Sequence, residues 1–193
     1  MKAFPTIFFI LCASLQLSAA DSYFPKDSIS DFEQGWYGKH LSAMKEPALS
    51  PTQKDKSYFA FRVLYLPTWG RPVSVRYEGS DSGFVRRSIM LSGSGGYDPG
   101  KISVDKEVKV AKQEIADLIT SLEKAGLWKM PQKADVSGRD GSQLIIEAIK
   151  DGVHLVRVRW TPEHDAEKRK LTDLVTLYTT QFQNSGFWKK GEK

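Results

Sequence analysis

The pair Asp151-Gly152 stands between two runs of alternating residues, "SQLIIEAIK" and "VHLVRVRW". Such a pair between such runs selects a tight hairpin, because Asp and Gly tolerate the positive φ that the favoured two-residue turns need. No other feature constrains the chain as much. With a two-residue loop Lys150 faces Val153, so Ile149 faces His154, Glu147 faces Val156 and Ile145 faces Val158. Side chains alternate across a strand. Ile145, Glu147, Ile149, His154, Val156, Val158 and Trp160 therefore share one face, and Leu144, Ile146, Ala148, Leu155, Arg157 and Arg159 share the other.

Period-two patterning recurs at 59–66, 73–78, 84–92 and 102–110, with "PTWGRP", "EGSDSG" and "SGSGGYDPG" as turns by composition. Three stretches carry helical period instead. Ser30 and Glu33 have capping-box spacing ahead of Phe32, Trp36, Tyr37, Leu41 and Met44, which predicts a short helix over 31–45. Ile115, Leu118, Ile119, Leu122 and Ala125 form one stripe that stops at Gly126, a helix over 112–125. Thr161 and Pro162 read as N-cap and first helical residue of a long helix over 163–184, with Leu171, Leu174, Val175, Tyr178 and Phe182 inward. The expected fold is α+β: one domain over 58–185 with a mainly antiparallel sheet of about six strands. Two main helices pack on one face, burying Leu118, Leu122, Leu174 and Tyr178. A short N-terminal helix and connector occupy 21–57, and 186–193 is a polar tail.

The first twenty residues, "MKAFPTIFFILCASLQLSAA", have the Lys2 n-region, apolar run and small-residue end of a signal peptide. They predict cleavage before Asp21 and a periplasmic or secreted protein. Leu11 precedes Cys12, where a lipid-anchored leader would place a small residue, so no lipid anchor is expected. Cys12 is the sole cysteine, and the remaining chain has no thiol for a disulfide, a nucleophile or a metal. An exported domain without disulfides fits a bacterial source better than a small eukaryotic secreted one. Past the leader no membrane span is visible. Basic residues exceed acidic ones only slightly and are spread along the chain, which argues against nucleic acid as a partner.

Chemistry is sparse. Glu147 and His154 are diagonal neighbours on the hairpin, and a carboxylate beside an imidazole is how a general base is prepared. Asp140, just upstream, or an arginine is the candidate third member. The favoured reading of the pair is structural, a Glu–His contact satisfied within the sheet. Arg62, Arg76, Arg86, Arg87, Arg157 and Arg159 all fall on expected strands, where solvated faces are the default and an anion-binding face the minority reading. Arg62, Arg157, Arg159, Tyr97 and Trp160 are the candidate ligand contacts. The glycines of "SGSGGYDPG" could cradle an anion, but a strand rather than a helix follows, so a turn is preferred. Ser137 and Ser142 lack a nucleophile-elbow sequence. His40, His154 and His164 lack paired spacing for zinc. No cofactor motif is present.

"FRVLYLPTWGRPVSVR", "SGSGGYDPG", "GLWKMP", "GRDGSQLIIEA" and "HLVRVRWTP" together resemble a family of small exported bacterial proteins of unknown function, over about residues 58–182. The matching positions are Arg62, Gly96, Tyr97, Trp128, Asp140, Gly141, Glu147, His154, Arg159, Trp160 and Pro162. Ile145 departs from the pattern, which places an aromatic residue there. The resemblance implies an envelope protein and carries no activity with it. Two functions follow from the residues. The favoured one is a non-catalytic binding or accessory protein that meets an envelope protein or a small ligand. The alternative is a hydrolase-like enzyme using Glu147 and His154. An enzyme needs both groups open to a cleft, whereas a structural pair lies covered.

Overall fold

The alternating runs become six strands in a computed structural model that describes residues 22–50, 57–133 and 136–188. The leader over 1–20 lies outside the described residues. The strands are β1 (Phe59–Pro67), β2 (Val73–Ser80), β3 (Gly83–Leu91), β4 (Ile102–Val110), β5 (Ser142–Lys150) and β6 (Val153–Trp160). They form one antiparallel sheet in the order β4-β3-β2-β1-β5-β6. A four-strand meander thus meets a hairpin along the β1–β5 seam. The hairpin has the expected register, from Lys150 opposite Val153 to Gln143 opposite Trp160. Asp151 and Gly152 take φ of 52° and 76°, both in the left-handed region that a two-residue turn of this hand requires.

Three helices cover the sheet: α1 (Asp31–Ala43), α2 (Lys112–Lys124) and α3 (Thr172–Asn184). On one face Phe61, Val63, Val75, Leu144 and Ile146 pack with Leu118 and Leu122 of α2 and with Leu174, Tyr178 and Phe182 of α3. On the other face Leu64, Leu66, Ile89, Ile145, Val156 and Val158 pack with Tyr37 and Leu41 of α1 and with Met44 just beyond it. A strand buried on both faces needs apolar residues at successive positions rather than every second one. That is why β1 reads "FAFRVLYLP".

The capping box at Ser30 and Glu33 is present, each side chain bonding the other's backbone amide. Phe32 leaves the expected stripe: it is 76% exposed while Tyr37 and Leu41 are buried. The last helix is shorter than expected, beginning at Thr172 instead of 163. Two local bonds explain the difference. Thr161 Oγ1 accepts from the Ser142 amide, 3.0 Å away, instead of capping a helix. The Arg169 guanidinium gathers the carbonyls of Trp160, Thr161 and His164, and residues 161–170 run as turns with Thr161, Asp165 and Lys170 at positive φ. Beyond α3 the chain is less of a polar tail than its composition suggests. Trp188 packs edge-on against Phe182, with ring centroids 4.9 Å apart. Residues 189–193 of that tail lie outside the described residues.

Candidate functional site

Strand pairing sets Glu147, Arg62, Arg76 and Arg87 opposite one another across β5, β1, β2 and β3. His154 stands diagonally from Glu147, its Nε2 3.2 Å from Oε1. Arg62 Nε donates to Glu147 Oε2 at 2.7 Å, and Arg62 Nη2 donates to the same oxygen. Three guanidinium groups side by side on one face would repel. Glu46 separates them: its carboxylate accepts from Arg76 Nε at 2.8 Å, Arg87 Nη1 at 3.2 Å and Arg62 Nη1 at 3.5 Å. The chain delivers Glu46 by ending α1 with Lys45 at φ 54°, the left-handed residue that commonly closes a helix. Carbonyls of the same segment also accept, Pro47 from Arg62 Nη1 and Lys45 from Arg87 Nη1, while Arg76 Nη1 donates to Glu78. Arg87 also grips Asp105 through two bonds near 3 Å, which holds that carboxyl below the usual carboxylate range.

This row corrects the expectation of solvated strand arginines. Arg62 and Arg76 are buried, because α1 and the segment after it cover this face and bring matching acceptors. The side chains of Glu147 and Arg62 are each 1% exposed, and that of His154 is 7% exposed. The expected Glu147–His154 hydrogen bond is there, with a buried guanidinium on the carboxylate as well. Such a carboxylate has both oxygens engaged and is covered, the opposite of a base open to substrate. Asp140 does not join them. It is exposed on the turn before β5, seven residues from Glu147, about 20 Å along an extended strand.

The other candidate arginines lie on the opposite face, as the register requires, and serve the fold. Arg157 Nε donates to the Leu127 carbonyl at 3.1 Å, and Arg159 Nη2 to that of Pro131 at 2.6 Å. They tie the chain after α2 to β6. Trp160 is half-buried and lies over Gly138 and Gly141; a Cβ on Gly138 would fall 2.0 Å from its ring. It walls a small cleft of about 260 Å³ with Glu33, Lys133 and Ser137.

Arg159, itself buried, edges a cleft of about 530 Å³ beside the end of α2, and the exposed Tyr97 opens onto a groove on the other side of the fold. The Gly-rich loop between β3 and β4 folds back onto the turn between β1 and β2. Gly95 N donates to the carbonyls of Pro67 and Gly70 at 2.9 and 3.0 Å, and Gly96 N to that of Thr68 at 3.2 Å. A Cβ on Gly95 would lie 2.5 Å from the Leu66 carbonyl carbon, so only glycine permits this approach. The two loops thereby set Trp69 beside Tyr97, ring centroids 5.0 Å apart. From the other side α1 clamps the loop: Trp36 Nε1 donates to the Gly95 carbonyl at 2.8 Å, and Lys39 Nζ to that of Tyr97 at 2.6 Å. Phe32 leans on Trp36 at 5.9 Å. The resulting groove, about 570 Å³, is lined by Phe32, Trp36 and Tyr97 with Asp31, Lys39 and Arg139.

Of these residues the sequence reading identified only Tyr97 as a ligand contact. The available signal was an aromatic residue inside a Gly/Pro turn. "PTWGRP" and "GSGGYDPG" each place one where no core asks for it.

His40 is fully buried on α1, close to the Gly-rich loop. Burial, and then the Lys39 charge, push its pKa down to about 4; the Gly95 backbone and Asp98 pull weakly the other way. The folded protein thus keeps His40 neutral in a range where the unfolded chain protonates it. Stability should hold above about pH 6.5 and fall by about 1–3 kcal/mol as pH drops from there towards 4. Urea midpoints of wild type and His40→Gln across that range test it. Parallel pH profiles would show that the folded imidazole protonates freely.

No family model matches this chain, and no curated protein does.

Proposed function

We infer that the protein is a non-catalytic binding protein of the bacterial cell envelope, carried out of the cytoplasm by its leader, with the aromatic groove beside α1 as its binding site. The observation that carries this reading is a groove lined by Phe32, Trp36 and Tyr97 with Trp69 set beside Tyr97, where Phe32, Trp69 and Tyr97 are 76%, 73% and 53% exposed. Large aromatic side chains left in water together mark a binding surface more often than isolated apolar residues do. The loops that present Trp69 and Tyr97 are fixed by backbone bonds and by glycines that admit no substitute, so the site is formed before its ligand arrives. The burial of Glu147 and His154 supports binding over hydrolysis.

Affinity capture from an envelope fraction with the wild type and with Trp69→Ala/Tyr97→Ala tests the reading. A retained species should be lost with the double variant, at a cost of about 2 kcal/mol in binding for each anchor. Both positions face solvent, so the urea midpoint should move by less than about 0.5 kcal/mol. Equal retention by both proteins would overturn the assignment of the groove.

A further inference from the structure

We propose that the occupant is an extended saccharide chain bearing carboxylates, lying along α1 from the aromatic groove, across Gly35, into a second cleft. This rests on the binding reading above and gives it a ligand class. The second cleft, about 720 Å³, is lined by Tyr23, Gln34, Gly38, Ser42 and the arginine-paired Glu46, and shares Gly35 and Lys39 with the first. Gly35 is the saddle between them. It lies inside α1, faces solvent, and has no atom within 4 Å of where a Cβ would stand. Gly38 contrasts with it: a Cβ there would meet the Tyr23 ring at 3.2 Å. No contact of the fold therefore calls for glycine at 35, and alanine would be the better helix former. What the missing methyl leaves is a low pass joining two clefts. From Asp31 to Ser42 the helix runs about 16 Å, the span of a short oligosaccharide.

The lining selects the chemistry. Phe32, Trp36 and Tyr97, with Trp69 set beside Tyr97, offer flat faces for the C–H surfaces of sugar rings, and the exposed Ser42 hydroxyl in the second cleft suits a sugar hydroxyl. Lys39 and Arg139 face one carboxylate, Asp31, in the first groove. The exposed Arg139 guanidinium makes no hydrogen bond or ion pair among the described residues. A cation so placed fits a carboxylate on the ligand. An extended peptide fits less well, since strand addition needs an unpaired strand edge. The edges here are β4 and β6, whereas the groove is walled by α1 and two turns. The Trp36 ring N–H is also already spent on Gly95.

Isothermal titration with tetragalacturonate, its methyl ester, digalacturonate and a proline decamer provides the test. The tetramer should bind, and the ester, which keeps the rings and loses the charges, should bind about tenfold more weakly. Gly35→Val should weaken the tetramer by about tenfold and the dimer, which need not cross the saddle, by clearly less. Gly35→Ala should unfold at a temperature no lower than wild type. Equal affinity for acid and ester, equal loss for tetramer and dimer, or tighter binding of the proline peptide would each overturn the proposal. So would failure of the tetramer to bind. If capture from the envelope fraction still depends on Trp69 and Tyr97 in those cases, the binding reading stands and only the ligand class falls.

Discussion

Replacing Arg62 with Met is expected to lower the unfolding free energy by about 3–5 kcal/mol, a large share of what a domain of this size possesses. The variant keeps much of the side-chain volume and removes the cation. Glu147 would keep only His154, and Glu46 would keep Arg76 and Arg87. A carboxylate that stays buried after losing its guanidinium partner bears its desolvation cost with little return. Glu147→Gln is milder, about 1–3 kcal/mol, because the amide keeps the shape and still accepts a hydrogen bond. Replacing both partners, as in Arg62→Met/Glu147→Leu, should recover most of the loss, since a buried pair exchanged for apolar groups can be nearly neutral. Urea midpoints of wild type, Arg62→Met, Glu147→Leu and the double variant at neutral pH close the cycle. A loss below about 1 kcal/mol for Arg62→Met would mean that water reaches the row.

Phe182→Ala is expected to cost a similar amount, about 3–5 kcal/mol, on the opposite face of the sheet. Phe182 is fully buried, and its ring meets Tyr65, Tyr178 and Trp188 at centroid distances of 5.9, 5.6 and 4.9 Å. Those rings are themselves locked. The Tyr178 hydroxyl bonds the Glu163 carboxylate, and burial next to that carboxylate raises the Tyr178 pKa. A rigid surround cannot collapse into the space left by a phenyl ring, which is why the upper part of the range applies. Thermal unfolding followed by near-ultraviolet circular dichroism reports both the stability and the aromatic packing. A loss under about 1.5 kcal/mol would show that Trp188 swings in to fill the space.

The fold was legible where periodicity and turn chemistry agreed. Asp151-Gly152 set the hairpin register, and the stripe from Ile115 to Leu122 set α2. The last helix misled because Thr161-Pro162 carries an N-terminal signature whose hydroxyl is taken by a distant partner, Ser142. No local pattern could reveal that bond. The pairing of Glu147 with His154 followed from register alone. Arg62 as their third member did not, since it depends on β1 lying against β5, a neighbour relation between residues 85 positions apart. The groove was least legible. Phe32 and Trp36 match a helical stripe in sequence, and only the packing of Tyr37 and Leu41 shows which side of α1 turns inward.

The β1–β5 seam also dictates an order of events as the chain acquires its structure. The four-strand meander closes through local turns, whereas β1 waits for a partner that follows β4 and α2 in the chain. Contacts at such sequence separation form late, because the intervening loop must first be closed. Until they do, the central strand of the finished sheet is an open edge, apolar on both faces and carrying an arginine without its carboxylate. A chain shortened before β5 would be arrested there, with an edge ready to add strands from its neighbours. Its expected fate is self-association rather than a smaller folded unit.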